Sequence, residues 1–398
     1  MQYKYIPIII NSFIIVLLTS CSNPNNELQL EGTKIEIINN NHPLEMELDS
    51  MVDSITYVSL SSEKCLLGHI ENIKFDNGYY FVKDNKGLFV FDSKGDYLHE
   101  ISSKGVGPDE YLYMDCFFLD RNKKHVYVIS NVQNKAMCFT YEGEYVSYLS
   151  FKNEQTQISG MTMLENGSIV AYHPFSNVSF TRPYEYGVYV PKKDILEDKE
   201  LLKGTEISSG DIYYPFFRHS MALKNDSLFF LSAFSNNIYV YKGTESACVY
   251  RVEMPDIAPP YRFLKKHSSM DYFDLLEAIK KEGFGRGLTS IIATEEYLLL
   301  SVNDSYTLLW DGNNAILLSR IFDRDLNRYF DLTMSGGISD EKLGFLEADF
   351  LIEEKERILG ENNSDLSAIV KKLREDDNPV LYKYHLKKNL VNYITKNN

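Results

Sequence analysis

The sequence predicts an all-β protein, a six-bladed β-propeller of four-stranded blades, and three observations lead to this prediction. Aromatic residues make up 13% of the 398 residues, with 29 Tyr and 23 Phe against one Trp, and such side chains favour pleated, half-buried surfaces. Pairs of apolar runs are joined by turns that close on glycine, and these hairpins recur along the chain. A second series of turns falls between the glycine hairpins, so each repeat contains four strands.

The first 21 residues are predicted to be an export signal. One early positive charge, Lys4, precedes an apolar run that ends near Leu18 and is too short and too interrupted for a comfortable membrane span. The closing "LTSC" resembles the bacterial lipobox, in which the cysteine is lipidated and becomes the mature N-terminus. Cys21 is therefore the predicted lipid anchor and the membrane the predicted partner, with an ordinary secreted protein as the alternative. The following "SNPNNELQLEG" is polar and turn-rich, and we expect a flexible tether over residues 22–47.

The repeat is clearest in two hairpins, "FVFDSKGDYLHEIS" and "MCFTYEGEYVSYLS", whose glycines Gly95 and Gly143 lie 48 residues apart. Weaker copies place Gly243 and Gly312 at the equivalent turn. The turns of the second series lie in "FDNGYYFV", "LDRNKKHVYVI", "LENGSIVAY", "LKNDSLFFL" and "ATEEYLLLSV". The strands beside them are almost continuously apolar, which indicates sheets covered on both faces, as in a propeller. The propeller is predicted to span residues 48–388, and residues 389–398 a C-terminal tail.

Five units of this kind fit between about Ile70 and Phe322, and the C-terminal region has room for a sixth that is one strand short. The segment "SITYVSL", Ser54 to Leu60, can supply the missing strand, because pairing it with the last blade would close the ring and cover a free edge. Helical spacing appears at about residues 261–283 and 343–378. These two predicted insertions could form a functional face or only cap the ring.

The stretch "ISSKGVGPDEY" joins the predicted first and second blades. With the preceding "LDSMVDSITYVSL" and "LLGHIENIKFDNGYYFV", it resembles the six-bladed β-propeller lipoproteins of Gram-negative envelopes, which carry a GxGPxEY element after the first blade. The matching residues are Gly105, Gly107, Pro108, Glu110 and Tyr111. The resemblance implies the fold and an exported location, and it transfers no activity. No helix follows the stretch, so it is interpreted as a structural joint and not as a phosphate loop.

Motifs that carry chemistry are absent from the sequence. The eight histidines form no HxH or HExxH pair, and there is no CxxC pair, GxSxG elbow or P-loop, so no catalytic residue, metal or cofactor is predicted. The oxygen-rich "DRNKKH" and "DGNNA" could hold calcium, but polar hairpin tips explain them more simply. Four cysteines besides the anchor are interpreted as buried free thiols, with disulfide pairing as the alternative: Cys65, Cys116, Cys138 and Cys248.

Two classes of function agree with this sequence. The favoured class is a binding scaffold, held by lipid at the cell envelope as an outer-membrane lipoprotein, with a protein, peptide or glycan as ligand. The alternative is a propeller-type hydrolase or lactonase with a metal held in the central channel. The formal net charge of −15 makes nucleic acid an unfavourable partner, because affinity for phosphate backbones comes mainly from Lys and Arg.

Overall fold

A computed structural model describes residues 32–39, 42–101, 104–107, 109–151, 157–173, 186–202, 220–225, 227–243, 246–267, 269–330, 332, 341–360 and 364–397. Two compact units divide the chain at residue 30. All the described residues belong to the second unit, Glu31–Asn398, and its fold is given below. The predicted signal and its Cys21 lie outside the described residues.

Strands make up most of the second unit. Its N-terminal part contains β1 (Thr33–Ile35), β2 (Leu44–Glu47), α1 (Leu48–Met51) and β3 (Val52–Ser59). The first two meanders are β4 (Ile70–Asp76), β5 (Tyr79–Asp84), β6 (Leu88–Asp92), β7 (Tyr97–Glu100), and β8 (Cys116–Asp120), β9 (His125–Ser130), β10 (Lys135–Thr140), β11 (Tyr145–Phe151). The third is β12 (Gly160–Met163), β13 (Ile169–Tyr172), β14 (Tyr186–Lys192), β15 (Ile195–Leu202).

The later elements add helices to the same pattern. The fourth meander is β16 (Met221–Lys224), β17 (Ser227–Leu231), β18 (Asn237–Tyr241), β19 (Ser246–Val252), and α2 (Tyr261–Lys266) and α3 (Tyr272–Lys281) follow it. The fifth is β20 (Leu288–Ala293), β21 (Leu298–Val302), β22 (Tyr306–Trp310), β23 (Ala315–Asp323). The chain ends with β24 (Arg328–Phe330), β25 (Glu341–Leu346), α4 (Ala348–Glu353), α5 (Lys355–Gly360), α6 (Ser364–Val370), β26 (Val380–Leu386) and α7 (Leu390–Asn397).

Consecutive strands within each meander pair antiparallel, so the two predicted series of turns are confirmed. The glycine of each predicted hairpin has a positive φ, which only glycine adopts readily: Gly95 (91°), Gly143 (88°), Gly243 (89°) and Gly312 (97°). In the third meander, Lys193 occupies the equivalent turn with φ 52°. The alternation of turns in the sequence therefore gives the strand order directly.

The described strands form five sheets in an all-β, propeller-like arrangement. The prediction of six separate four-stranded sheets is not supported. One reason is that β11 pairs in parallel with β15 through Ser150 and Ile195, which merges the second and third meanders into a sheet of eight. The last sheet, β25-β26-β3, has three strands. First strands of successive meanders adjoin, β8 with β12, β16 with β20 and β25 with β4.

The N-terminal segment lies against three later parts of the chain. Strand β1 pairs in parallel with β19, and β2 pairs in parallel with β23. Residues 33–35 and 44–47 are thus strands, and the predicted tether of 22–47 extends too far, because their backbone groups complete the edges of two sheets. The predicted pairing of the N-terminal strand with the last blade is confirmed, since β3 pairs antiparallel with β26 from Val52 to Ser59.

The strands are buried on both faces because each meander packs between neighbours. In β5, five of six residues are buried, with Phe81 and Val82 fully enclosed. Phe81 faces the second meander and contacts Tyr141 at 4.7 Å between ring centroids, whereas Val82 packs with Leu381 in the last sheet. This two-sided burial explains why the strands read as continuous apolar runs.

The helices agree with the sequence in part. The first insertion is present as α2 and α3, and Asp271 caps α3 by accepting from the backbone N–H groups of Phe273 and Asp274. The second insertion starts later than predicted, at α4, because residues 343–346 belong to β25. Residues 389–398 are not a tail, since α7 buries three apolar side chains in the core: Leu390, Val391 and Ile394.

Candidate functional site

Strand β4, the first strand of its sheet, presents one set of side chains to the last sheet and another set to the second meander. On the side of the last sheet, Ile73 packs in the buried cluster that contains Leu381 of β26. The centroid of the Phe75 ring lies 5.0 Å from Lys383 Nζ. Asn72, Lys74 and Asp76 alternate with these residues and point to the opposite side, toward the second meander. We call these three side chains the Lys74 face. It is polar although the strand is mostly enclosed between two sheets.

Asp76, at one end of the Lys74 face, is fully engaged by the second meander. The Tyr141 hydroxyl donates a hydrogen bond of 2.8 Å to Asp76 Oδ2, and Arg121 forms an ion pair of 3.3 Å with Asp76 Oδ1. Burial, with the hydrogen bond to this carboxylate, raises the pKa of Tyr141, so the phenol remains a donor. The charge of Asp76 is therefore neutralised by Arg121.

Lys74 is a half-buried cation without an acidic partner. Its Nζ lies 5.5 Å from the centroid of the Phe117 ring, and within the described residues no carboxylate comes within ion-pair distance. The pKa of Lys74 is lowered to about 8. Burial is the main cause, and the neighbouring cation Arg121 contributes, because both disfavour the protonated form. At pH 7 about nine in ten Lys74 side chains still carry the charge.

Two further ionisable groups on this side of the strand, Cys116 and Lys83, do not neutralise Lys74. Cys116, at the start of β8, is half-buried, and burial raises the pKa of its thiol to about 12, so it stays uncharged. Lys83, opposite Asn72 in the register of β4 and β5, is buried but makes a close ion pair with Glu71. Lys74 is thus the cation at this point whose charge is left uncompensated.

Asn72 adds an unused acceptor to the same face. Its Oδ1 is buried and accepts no hydrogen bond within the described part of the chain. Residues two apart on a strand are separated by about 7 Å, so Asn72 and Lys74 lie side by side along β4. A buried carbonyl oxygen without a donor costs about 1–3 kcal/mol. A ligand with an acidic group for Lys74 and an N–H or O–H donor for Asn72 would satisfy both.

The residues of the GxGPxEY element lie elsewhere, between β7 and β8. The Gly107 N–H donates to Glu110 Oε2 at 2.8 Å, and the Gly105 N–H donates to the Tyr111 carbonyl at 3.1 Å. A Cβ on Gly105 would meet Glu110 Oε2 at 1.9 Å, so any larger residue there would displace the Glu110 carboxylate from Gly107. Tyr111 is fully buried, and its hydroxyl donates to the Ile101 carbonyl at 3.1 Å. Pro108 lies outside the described residues.

This geometry is that of a folded connection, in which the Glu110 carboxylate accepts from Gly107 and the Tyr111 hydroxyl donates to Ile101. Tyr111 packs in the same buried cluster as Phe117, the residue whose ring lies beside Lys74. The element therefore contributes to the hydrophobic core of the second meander. Strand β8 begins at Cys116, and Tyr111 before it forms only an isolated bridge with Lys104.

The other predicted sites are turns and core residues. Asp311 Oδ1 accepts from the backbone N–H groups of Asn313 and Asn314, so "DGNNA" is an ordinary hairpin tip. Free thiols are confirmed for Cys65, Cys116 and Cys138, while the side chain of Cys248 lies outside the described residues. Among the described side chains, no group of three or more His, Cys, Asp or Glu is close enough to hold a metal ion.

Sequence reasoning missed the Lys74 face. The available signal was the segment "IENIKFD", in which an asparagine and a lysine interrupt a run that is otherwise read as a buried strand. A charged residue at an enclosed strand position calls for a partner. The sequence could not show that Arg121 of the next meander takes the neighbouring carboxylate of Asp76 and leaves Lys74 without one.

Comparisons with known proteins support the fold. The model of a family described as a domain of unknown function, DUF4934, matches residues 32–385. A structure of a Bacteroides fragilis NCTC 9343 protein assigned as exported is similar, with 18% identity, a TM-score of 0.64, and coverage of 87% of this chain and 99% of the other. At this identity the likeness establishes a shared fold.

Two more distant structures also align. One is a member of the DUF4221 family from Bacteroides vulgatus, with 11% identity, a TM-score of 0.44, and coverage of 84% of this chain and 97% of the other. The second is a gluconolactonase from Xanthomonas campestris, with 10% identity, a TM-score of 0.42, and coverage of 85% and 92%. No curated protein matches the sequence. Within the described residues, no helix is both long and apolar enough to cross a membrane.

Proposed function

The chain belongs to the DUF4934 family, and we propose that it is an exported, lipid-anchored six-bladed propeller that binds an acidic ligand at the Lys74 face. Five four-stranded meanders and the β25-β26-β3 sheet supply six units, and the parallel pairing of β11 with β15 only links two neighbouring blades. The contacts between first strands of successive meanders favour a ring with these strands innermost. The GxGPxEY element is then the joint between the first two blades.

Anchoring at the cell envelope rests on the lipobox-like end of the signal. Lipidation of Cys21 would place the propeller on a membrane, and the outer membrane is the proposed one. The described chain begins at residue 32, and β1 fixes it to the outer strand β19 from residue 33. The eleven residues between the anchor and β1 would then allow a reach of up to about 40 Å from the membrane surface.

The observation that carries the binding proposal is the uncompensated charge of Lys74. Enclosing a cation without a counter-charge is unfavourable, and an acidic group beside it would recover that free energy. The unused Asn72 Oδ1 on the same face specifies a second requirement, a hydrogen-bond donor about 7 Å away or nearer. Carboxylates that carry a neighbouring hydroxyl or amide, as in acidic glycans and peptide ends, meet both requirements.

The experiment compares two small acids that differ in the donor. Lactate carries a hydroxyl beside its carboxylate, whereas acetate has the carboxylate alone. Calorimetric titration of the full-length protein at pH 7 is expected to show lactate binding about two- to tenfold more tightly than acetate, because one additional hydrogen bond contributes about 0.5–1.5 kcal/mol. Lys74→Met is expected to abolish binding of both acids, and Asn72→Leu to remove only the preference for lactate.

The matched control is Lys94→Met, the same substitution at an exposed lysine in the β6–β7 hairpin. It should leave both affinities unchanged. Equal binding by the Lys74→Met protein and the wild type would contradict the proposal, as would failure of both acids to bind the wild type at millimolar concentration.

A further inference from the structure

A polar cleft lies far along the chain from the Lys74 face, where β23 extends beyond β22. Strand β23 pairs with β22 through residues 315–318 and with β24 through residues 321–323. Its opposite edge is occupied by β2, which pairs with residues 318–322, so β22 and β24 must share one edge. A gap therefore opens between β22 and β24, opposite Ser319 and Arg320. The gap forms a cleft of about 120 Å³.

The walls of this cleft combine aromatic rings with hydroxyl groups. Tyr306, Tyr329 and Phe330 line it together with Ser305 and other hydroxyl side chains. Tyr329 is 51% exposed, so one side of its ring is accessible to a ligand. The cleft is small, so we expect it to take one ring of a ligand at a time.

Two hydroxyls of the cleft are already oriented by the backbone. Ser305 Oγ donates to the Asn303 carbonyl at 3.1 Å, and Ser319 Oγ donates to the Leu44 carbonyl at 3.1 Å. With their hydrogens engaged, both oxygens can accept from a ligand. A ligand that carries several hydroxyl groups fits this arrangement.

Arg320 supplies the charge. Its guanidinium carbon lies 4.9 Å from the centroid of the Tyr329 ring, and its Nη1 donates a hydrogen bond of 3.3 Å to the Tyr329 hydroxyl, so the planar group is held against the aromatic wall. In the described part of the chain no carboxylate is within ion-pair distance of Arg320, although Glu45 is next to it in the register of β2. Asp304, at the rim, is occupied by a close ion pair with Arg286. The free guanidinium is suited to bidentate contact with a carboxylate.

We propose that this cleft binds the uronic-acid ring of an acidic glycan. The carboxylate contacts Arg320, the ring packs on the exposed side of Tyr329, and sugar hydroxyls donate to Ser305 and Ser319. The site is separate from the Lys74 face, and it gives the protein a second point of contact with a carbohydrate chain.

The test uses three small-molecule probes: methyl β-D-glucuronide, methyl β-D-glucoside and N-acetylglycine. Binding of each probe to the full-length protein is measured by saturation-transfer NMR. The glucuronide is expected to bind about tenfold more tightly than the glucoside, because a charge-assisted bidentate pair forms only with the acid. Arg320→Gln should reduce the affinity for the glucuronide to that for the glucoside. Tyr329→Ala should abolish binding of both sugars.

Controls separate this site from its surroundings. Every probe is also titrated in the Lys74→Met background, so that binding of the acid at the Lys74 face does not contribute. Arg324→Gln removes a nearby exposed arginine that is paired with Glu47 and should not change glucuronide binding. Equal affinity of the wild type for the two sugars, or an unchanged affinity in the Arg320→Gln protein, would overturn the proposal. Tighter binding of N-acetylglycine than of the glucuronide would identify a site for peptide carboxyl termini and would also overturn it.

Discussion

Replacing Lys74 with methionine is expected to stabilise the protein at neutral pH. The side chain is enclosed beside Phe117 with no carboxylate partner among the described residues, and burial lowers its pKa from 10.5 to about 8. That fall in pKa corresponds to about 3 kcal/mol of unfavourable free energy for the charged form in the folded state. Methionine has a similar length, carries no charge and packs well against an aromatic ring, so it should recover about 1–3 kcal/mol.

The pH dependence follows from the direction of the shift. Below about pH 8, Lys74 is protonated in both the folded and the unfolded state, so the full penalty is present. Between pH 8 and 10.5 the unfolded state binds more protons than the folded state, and the stability of the wild type rises relative to the variant. The advantage of Lys74→Met should therefore be largest at pH 7 and nearly absent at pH 10.5.

Equilibrium urea unfolding at pH 7 and pH 10 measures this advantage as a difference between wild type and variant. The unfolding midpoint should rise at pH 7 with an unchanged dependence on urea, and Lys94→Met should leave it unchanged. A Lys74→Met protein that is less stable than the wild type at pH 7 would refute the reasoning. An advantage of equal size at pH 7 and pH 10 would show that it does not come from the charge.

Three further predictions concern other parts of the chain. Gly95→Ala should lower the free energy of unfolding in urea by about 3 kcal/mol or more, since φ is 91° and the added Cβ would meet a backbone oxygen of β3 at 2.2 Å. Gly312→Ala is the matched control: φ is 97° but the Cβ would point into open space, so the loss should be only about 1 kcal/mol. Equal costs would argue against the close packing of β3 on the β6–β7 hairpin. Arg121→Gln should raise the pKa of Lys74 above 8 in an NMR titration of the ¹³C-dimethylated protein, because it removes a neighbouring cation, and a fall would contradict this electrostatic account. Cys21→Ala should move the protein from the membrane to the soluble fraction, and unchanged fatty-acid labelling would rule out Cys21 as the anchor.

The sequence predicted the strand order well because each turn carries its own local signal. Glycines at 95, 143, 243 and 312 are needed for a positive φ, and the continuous apolar runs follow from burial on two faces. The pairing of β3 with β26 was predictable for a related reason, since a free sheet edge must be covered.

The sequence could not predict contacts that depend on tertiary arrangement. Strands β1 and β2 are too short and polar to be recognised, and they become strands only because β19 and β23 offer open edges. The parallel pairing of β11 with β15 has no local signature either. Helix α7 was predicted as a tail because eight residues give a weak periodic signal, yet its apolar side is enclosed by the core.

The candidate site was missed for the same reason. Lys74 and Asp76 are two residues apart on one strand and could have paired with each other in sequence reasoning. In the fold, Arg121 and Tyr141 of the next meander engage Asp76 and leave Lys74 uncompensated. The uncompensated charge of the lysine therefore arises from the packing of two meanders.

The most direct test of the proposed function is a crystal structure of the full-length protein soaked in selenate, with the anion located by its anomalous scattering. The account predicts a peak within about 4 Å of Lys74 Nζ, the distance of an ion pair, that disappears in Lys74→Met crystals. Absence of a peak beside Lys74, or a peak there that persists in the variant, would contradict the assignment of an acidic ligand to this face.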